Sequence, residues 1–467
     1  MNINELMINE PKKAFKKMSI PLIAFAMFDA IYSLIDLAWA GGLGHNAVAA
    51  VGVATPLFVL IGTFGSTIGQ GTNSLMSRFL GIDENEKANN VMMHGFLMCV
   101  IVSILLPLIE IPFLESLLIF MNFKANASLV ISYLVPLLLF SFIFIFNEYF
   151  PETLQAEGET RKPTIFLIAG SILNLTLDPI FAFYFGLGIV GLSCATIISS
   201  LLPLGLFIYL YFVKKGFVPV KLSNFHFKTK FVKEIFKVTV PNFLDRSTFT
   251  VLGTYINLVL SFVGGPIAIS VYSLANQIKD LMLSPSRGAA RSTLSITGHL
   301  LGANKHTNLK SFYYYGTKIA VILAVISSIV LVLFHSTIIS YFSPIGEFVG
   351  TWYVVSLVVI CLLTPISLVS GKVLDGLGLS VFSFMGSILR VGLIMVFIYY
   401  FESTFNMYGL GVILSIALSE VIIAIVYIIL LNVIFRYKIK DSNLIINSSE
   451  KLNVKIIEND ELKNAAS

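Results

Sequence analysis

The chain has 467 residues, of which 56% are hydrophobic and only 12% are charged, and its formal net charge is +5. A soluble protein carries about 25% charged residues. The low charge content and a mean hydropathy of +0.87 therefore exclude an ordinary soluble domain and predict a polytopic membrane protein. The small basic excess is typical of such proteins, so we expect the bilayer and no nucleic acid as a partner.

Hydropathy predicts an all-α polytopic membrane protein with twelve transmembrane helices. The predicted spans lie near residues 18–40, 47–79, 90–112, 127–150, 163–184, 189–212, 234–262, 266–299, 312–335, 348–371, 380–401 and 408–435. They divide the chain into a cytoplasmic N-terminal segment, an N-lobe of six helices, a basic cytoplasmic linker, a C-lobe of six helices and a polar, disordered tail. The corresponding ranges are 1–17, 18–212, 213–233, 234–436 and 437–467.

Lysine and arginine predict the orientation of these helices. They cluster at the N-terminus, in the connections after spans two, four, six and eight, and at the start of the tail. The alternate connections hold only Lys124. Basic loops stay on the cytoplasmic side of a membrane, so both termini are expected to be cytoplasmic.

The two halves of the chain form an internal repeat. A shift of 221 residues aligns small residues of the first half with small residues of the second, in the same order and at the same connections. The aligned pairs include Gly44 with Gly265, Ala54 with Ala275, Ser74 with Ser295, and Gly81 with Gly302. Six spans per half predict two parallel, pseudo-symmetric lobes, which is a transporter architecture with the substrate path between the lobes.

Acidic residues distinguish the first half from the second. Asp36 aligns with Asn257 at this shift, and Asp178 aligns with Ile394 after small gaps. A carboxylate near the centre of a spanning helix costs roughly 2.5–3.5 kcal/mol on insertion scales, so it needs a reason. At 1.5 Å per residue, Asp36 lies about 27 Å and Asp178 about 22 Å from the cytoplasmic start of its helix, which places both in the outer half of the membrane.

Three polar stripes run along predicted helices of the N-lobe. They comprise Asp29, Tyr32 and Asp36 on span one, Ser171, Asn174 and Asp178 on span five, and Ser193, Thr196 and Ser200 on span six. Polar stripes in membrane helices face the bundle interior or a water-filled cavity. Oxygen-rich groups suit a hard cation such as Na⁺, whereas crowded, desolvated carboxylates could carry protons instead. A purely structural role, in hydrogen bonds between helices, is the third interpretation.

Other polar residues give weaker predictions. Asn147 and Glu148, near the cytoplasmic end of span four, fit either a loop cap or a cavity. Pro179 cannot donate to the carbonyl of Leu175 and disfavours helical geometry at Asp178. Three arginines of the second half are expected to close ion pairs, and they are Arg287, Arg291 and Arg390.

With these residues in view, the sequence resembles the multidrug and toxic compound extrusion (MATE) family. The stretch IPLIAFAMFDAIYSLIDLAWAGGLGHNAVAAVGVATPLF is similar to that family's first helix and second-helix start. GQGTNSLMSRFLG resembles the end of its second helix, and LQAEGETRKP the loop before its fifth. An acid in helix one together with NLTLD in helix five resembles the archaeal members and the related DinF-like bacterial branch.

The resemblance implies a monomeric transporter of a prokaryotic cell membrane, which exports small organic compounds in exchange for Na⁺ or H⁺ and has no cofactor. It implies a cation site of Asp36, Asn174, Asp178 and Thr196. It further implies cavity-lining roles for Tyr32 and Tyr133 and a bending role for Pro21. The sequence departs from the family pattern at Asp29 and at NEYFPETLQ (147–155), which favours cationic substrates or an extra bound proton.

Two alternatives stay open at this point. A flippase for a lipid-linked precursor would need a strongly basic central cavity, and the arginines of the C-lobe allow one. A membrane-embedded enzyme would need a catalytic constellation or, for an ATPase, a GxxxxGK[ST] loop, and the sequence contains neither. We therefore expect a transporter and not an enzyme.

Overall fold

A computed structural model describes residues 3–120, 127–213, 225–263, 265–336, 347–405 and 410–438. In chain order the helices are α1 (Ile3–Asn9), α2 (Pro11–Gly42), α3 (His45–Leu80), α4 (Asn85–Phe120), α5 (Ala127–Leu139), α6 (Ser141–Ala156), α7 (Arg161–Pro179), α8 (Gly188–Ile208), α9 (Thr229–Val263), α10 (Gly265–Gly302), α11 (His306–Leu333), α12 (Glu347–Gly376), α13 (Ser380–Phe405) and α14 (Leu410–Val433). Lys124, most of the predicted linker (214–224) and most of the predicted tail (439–467) lie outside the described residues.

The helices correspond to the twelve predicted spans, with α5 and α6 forming one span that bends by 56° at Phe140. Within the described ranges, nine single helices and this bent pair are long and apolar enough to cross a membrane. The remaining two, α9 and α10, are 35 and 38 residues long. Both helices carry charged residues that line interior cavities, among them Asp245 and Arg246 on α9 and Arg287 and Arg291 on α10.

Three apolar clusters form the packed interior. One fills the N-lobe between α3 and α8. Two others lie in the C-lobe, one toward each end of its helices. The N-terminal residues belong to the second cluster, because Met7 and Phe15 are fully buried against helices of the C-lobe. Helix α2 thus begins at Pro11, before the predicted membrane entry at residue 18, and it connects the two lobes.

Helices α3 and α10 pack together where the repeats meet. A Cβ atom added to Gly81 would lie 2.6 Å from the carbonyl oxygen of His299, and one added to Gly302 would collide with the carbonyl group of Arg78. Gly302 is the repeat equivalent of Gly81, and His299 that of Arg78. Reciprocal contacts of this kind mark a two-fold axis. Glycine is required on both sides because the two backbones approach too closely for a side chain.

Candidate functional site

Two carboxyl groups from different helices meet inside the N-lobe. Asp36 lies in the C-terminal half of α2, and Asp178 lies next to the last residue of α7. Their side chains are within hydrogen-bonding reach of each other. Asp178 is completely buried, and its Oδ2 atom has no hydrogen-bond partner in the part of the chain that the structure describes. The site therefore concentrates negative charge where water is scarce.

Asn174 connects this carboxyl pair to one further helix, α8, and to a second side chain of α2. Its Nδ2 atom donates to Asp178 Oδ1 at 3.1 Å and faces Thr196 Oγ1, on α8, at 3.4 Å. Its Oδ1 atom accepts a hydrogen bond of 2.6 Å from the hydroxyl of Tyr32, on α2. The structure thus brings together Asp36, Asn174, Asp178 and Thr196, the four residues predicted to form the cation site.

The prolines of the site lie in continuous helices. Local rules predict that Pro179 disturbs the helix at Asp178. The chain nevertheless stays helical there and continues into a π-helical turn over Ile180–Tyr184. The wider turn lets the amide of Phe185 reach the carbonyl of Ile180 at 2.9 Å. Pro21 lies inside α2, which runs without a break from Pro11 to Gly42.

A cavity of about 460 Å³ opens beside the carboxyl pair in the N-lobe. The predicted substrate residues that line it are Asp29, Tyr32, Asn147 and Glu148, together with Asn174 and Thr196 from the predicted cation site. Asn147 is fixed there by a hydrogen bond of 2.8 Å from its amide to the carbonyl of Ser200. Of the alternatives for Asn147 and Glu148, the structure therefore favours a cavity position over a loop cap.

Tyr133 lies near the carboxyl pair. It is buried on α5, within electrostatic range of both Asp36 and Asp178, but it does not line the cavity. Asp36 and Asp178 also lie outside the lining, next to the Tyr32 and Asn174 side chains that do face the cavity. The carboxyl pair thus lies behind the cavity wall, to which Tyr32, Asn174 and Thr196 contribute.

A central cavity of about 550 Å³ joins the two lobes. It shares Asp29, Glu148 and Arg246 with the N-lobe cavity. Arg246 was not predicted to reach the N-lobe, because it belongs to α9 and only the packing of the lobes brings it there. It lies within electrostatic range of Glu148, so the acidic wall of the N-lobe faces a basic wall of the C-lobe.

Polar contacts close the lobes at the end where the N-terminus lies, and we call this set the inner seal. Arg291 Nη2 lies 3.3 Å from Glu152 Oε1, and Gln155 Nε2 donates to the carbonyl of Arg291 at 2.8 Å. Nearby, Lys372 Nζ donates to Gln70 Oε1 at 2.7 Å. Each contact joins a helix of the N-lobe to a helix of the C-lobe. The predicted ion pairing of Arg291 is thus confirmed, with a partner in the other lobe.

Comparison with known proteins gives a consistent result. A family model described as MatE matches residues 21–180 and 241–401. The multidrug export protein MepA of Staphylococcus haemolyticus (strain JCSC1435) is 25% identical over 351 residues, which cover 72% of this chain and 76% of that protein. MepA of Staphylococcus aureus (strain NCTC 8325 / PS 47) is 25% identical over 299 residues, covering 63% of this chain and 65% of that protein.

Solved structures of transporters are similar over nearly the whole chain. A MOP superfamily transporter from Pyrococcus furiosus superposes with a TM-score of 0.88 at 28% identity, covering 94% of this chain and 98% of that one. A MATE structure in the bent conformation superposes with a TM-score of 0.87 at 28% identity, covering 96% and 99%. These similarities confirm the predicted fold of twelve helices in two lobes.

Proposed function

Because the chain belongs to the MatE family of multidrug efflux transporters, we propose that it is a secondary antiporter that exports organic compounds in exchange for Na⁺ or H⁺. The family consists of transporters, so the protein is not an enzyme. The proposal places it as a monomer in a prokaryotic cell membrane with both termini cytoplasmic. The coupling cation is a transported substrate, and the proposal includes no cofactor.

The contact between Asp36 and Asp178 carries the proposal. Two ionised carboxylates 4 Å apart repel each other by roughly 4 kcal/mol at an effective dielectric constant of 20. Such a pair is stable only with a positive charge between its members, either a shared proton or a bound metal cation. A role in helix packing alone would leave this repulsion uncompensated inside the membrane.

The surrounding atoms are compatible with either cation. Carboxylate oxygens and the Thr196 hydroxyl are hard donors that suit Na⁺, and the unpartnered Asp178 Oδ2 is a free ligand position. The amide of Asn174 presents nitrogen to the carboxylate and oxygen to Tyr32. That orientation suits a proton shared by the carboxyls, whereas Na⁺ would favour the amide oxygen turned inward.

Helix α2 is the element that we expect to couple cation and substrate. It supplies Asp36 and Tyr32 to the ion site and Asp29 to the cavity. Turning the Asn174 amide toward a metal cation would break its hydrogen bond from Tyr32, and loss of the shared proton would push Asp36 from Asp178. Either event changes the position of α2, and with it the shape of the N-lobe cavity.

The cavity favours cationic or amphipathic substrates. Asp29 and Glu148 line both the N-lobe and the central cavity. Apolar side chains such as Phe25 and Leu167 share the N-lobe lining. Carboxylates beside apolar surface bind compounds that combine a positive charge with a hydrophobic body.

One observation supports a second function, a flippase for lipid-linked precursors. The central cavity contains the basic side chains Arg246, Arg287, Arg291 and Lys372, which could hold a phosphate group. Its carboxylates, Asp29, Glu148 and Asp280, offset most of that charge. A flippase would move a fluorescent polyprenyl phosphate across vesicle membranes without an ion gradient, whereas the antiporter would not.

The decisive test is titration calorimetry of Na⁺ into the purified protein at pH 6 and pH 8, with Asp36→Asn as the matched variant. Saturable binding that the variant loses would support sodium coupling. Absence of Na⁺ binding, combined with substrate-induced proton release that the variant loses, would support proton coupling. Export from vesicles that continues unchanged in Asp36→Asn would contradict the proposal.

A further inference from the structure

The C-lobe contains its own cavity, of about 580 Å³, which the N-lobe ion site does not use. Helices α9, α10, α12, α13 and α14 enclose it. Eight charged side chains line it, namely Asp245, Lys279, Asp280, Arg287, Lys372, Asp375, Arg390 and Glu420. It shares Asp280, Arg287 and Lys372 with the central cavity, so the two cavities adjoin each other.

Six of these eight charges pair with each other. Arg287 pairs with Asp280. Lys372 Nζ lies 3.0 Å from Asp375 Oδ2, and Arg390 Nε lies 3.4 Å from Glu420 Oε1. These pairs leave one cation, Lys279, and one anion, Asp245, as the lining charges without an ion pair among the described residues.

Lys279 and Asp245 each have a neutral partner only. Lys279 Nζ donates to Asn276 Oδ1 at 2.7 Å. The carboxylate of Asp245 accepts a hydrogen bond from Ser387, while its buried Oδ1 atom has no partner in the described ranges.

The charged groups near Lys279 and Asp245 that could neutralise them already belong to other ion pairs. Asp280 and Glu420 are the carboxylates within electrostatic range of Lys279, and both belong to pairs. Lys372 and Arg390 lie in range of Asp245 and are likewise paired. The two remaining charges therefore lack a counter-charge within this set and can accept one from a ligand.

The chemistry of that ligand follows from charge balance. An unpaired charge inside a membrane protein is costly because it loses its hydration without gaining a counter-charge. A cationic ligand would compensate Asp245 and leave Lys279 unpaired, and an anionic ligand would do the reverse. A compound with both charges compensates both residues and keeps the cavity neutral.

We propose that the C-lobe cavity binds a zwitterionic organic compound, with its carboxylate at Lys279 and its cationic group at Asp245. The volume lies within the roughly 300–1,000 Å³ range of small-molecule sites. This inference rests on the proposed function, since it names a substrate class for the same transporter and a second position on its path.

The test uses two dyes that differ in one charge. Tetramethylrhodamine carries a cation and a carboxylate, and its methyl ester carries the cation alone. Fluorescence polarisation gives the dissociation constant of each dye for the purified full chain. We expect the wild type to bind the zwitterion about tenfold more tightly than the ester, the effect of one charged hydrogen bond.

Variants then assign the preference to the two residues. Lys279→Met should reduce the ratio of the two dissociation constants to about one, and Lys279→Arg should retain most of it. Asp245→Asn should weaken both dyes about tenfold, because both carry the cation. Lys237→Met is the matched control, since Lys237 is an exposed lysine in the N-terminal part of α9, away from the cavity lining, and should leave the ratio unchanged.

Two results would overturn the proposal. One is equal binding of the zwitterion and its ester by the wild type, and the other is an unchanged ratio in Lys279→Met. Transport assays separate this failure from that of the antiporter proposal. Vesicles that export the ester under an ion gradient would support the antiporter proposal. If the ratio of dissociation constants is also unchanged in Lys279→Met, only the proposal of a zwitterion site is contradicted.

Discussion

Removing Arg291 should open the inner seal, and the structure gives the size of the effect. Glu152 is only 3% exposed and has Arg291 as its charged partner at 3.3 Å. Truncating one member of a buried ion pair costs about 3–5 kcal/mol, because the other charge stays buried without compensation. Arg291 is 30% exposed, so we take the lower end of this range, about 3 kcal/mol.

That free energy belongs to the conformation in which the lobes touch at this end. A transporter alternates between conformations, and Glu152 would regain water when the seal opens. About 3 kcal/mol corresponds to a shift of roughly a hundredfold in the ratio of sealed to open molecules. Arg291→Met should therefore move the equilibrium toward opening at the N-terminal side.

Distances between spin labels on the inner ends of α3 and α12 would measure this shift. Arg291→Met should populate a longer distance, and Glu152→Gln combined with Arg291→Met should return most molecules to the short one. Lys162→Met is the control, because Lys162 pairs with Glu159 on the surface within one lobe and should change little. A distance distribution in Arg291→Met that matches the wild type would refute the reasoning.

Three further predictions concern the ion site and the helix that serves it. Asp178→Asn removes a repulsion of roughly 4 kcal/mol that a cation relieves, so calorimetry should show cation affinity reduced at least a hundredfold. Tyr32→Phe deletes the hydroxyl of α2 that donates a hydrogen bond to Asn174 at the proposed ion site. We expect weaker coupling between the two fluxes, measured as fewer cations moved per substrate molecule exported. Gly288→Ala places a Cβ 2.6 Å from the Cα of Ile23 and should lower stability by about 1–3 kcal/mol in thermal unfolding. Gly253→Ala, on α9 with nothing within 4 Å, is its control and should be neutral or slightly stabilising.

Helical periodicity explains why much of the N-lobe site was predictable. Residues at spacings of three and four share a face of a helix, so Tyr32 and Asp36 had to point the same way, as did Asn174 and Asp178. A polar face in a membrane helix turns inward. These two local rules suffice to bring the stripes together, and the structure joins them through hydrogen bonds at Asn174.

Contacts between the lobes could not be predicted in the same way. Glu152 and Arg291 are 139 residues apart, and no periodicity relates them. Arg246 reaches the N-lobe cavity only because α9 packs against α3. The local rule for Pro179 predicted a disrupted helix, but it does not include the π-helical turn over Ile180–Tyr184 in which the chain stays helical. The orientation of the Asn174 amide likewise depends on Tyr32, from another helix.

The position of α2 suggests why cation binding in one lobe would change the relation between both. Its N-terminal half packs on α10 of the C-lobe, where Gly288 lets the backbones approach closely. Its C-terminal half holds Asp36 and Tyr32 at the proposed ion site of the N-lobe. A rigid helix anchored to both lobes cannot move at one end without stress at the other. Cation exchange at Asp36 would thus act on the lobe contact through α2, and Gly288→Ala should disturb coupling as well as stability.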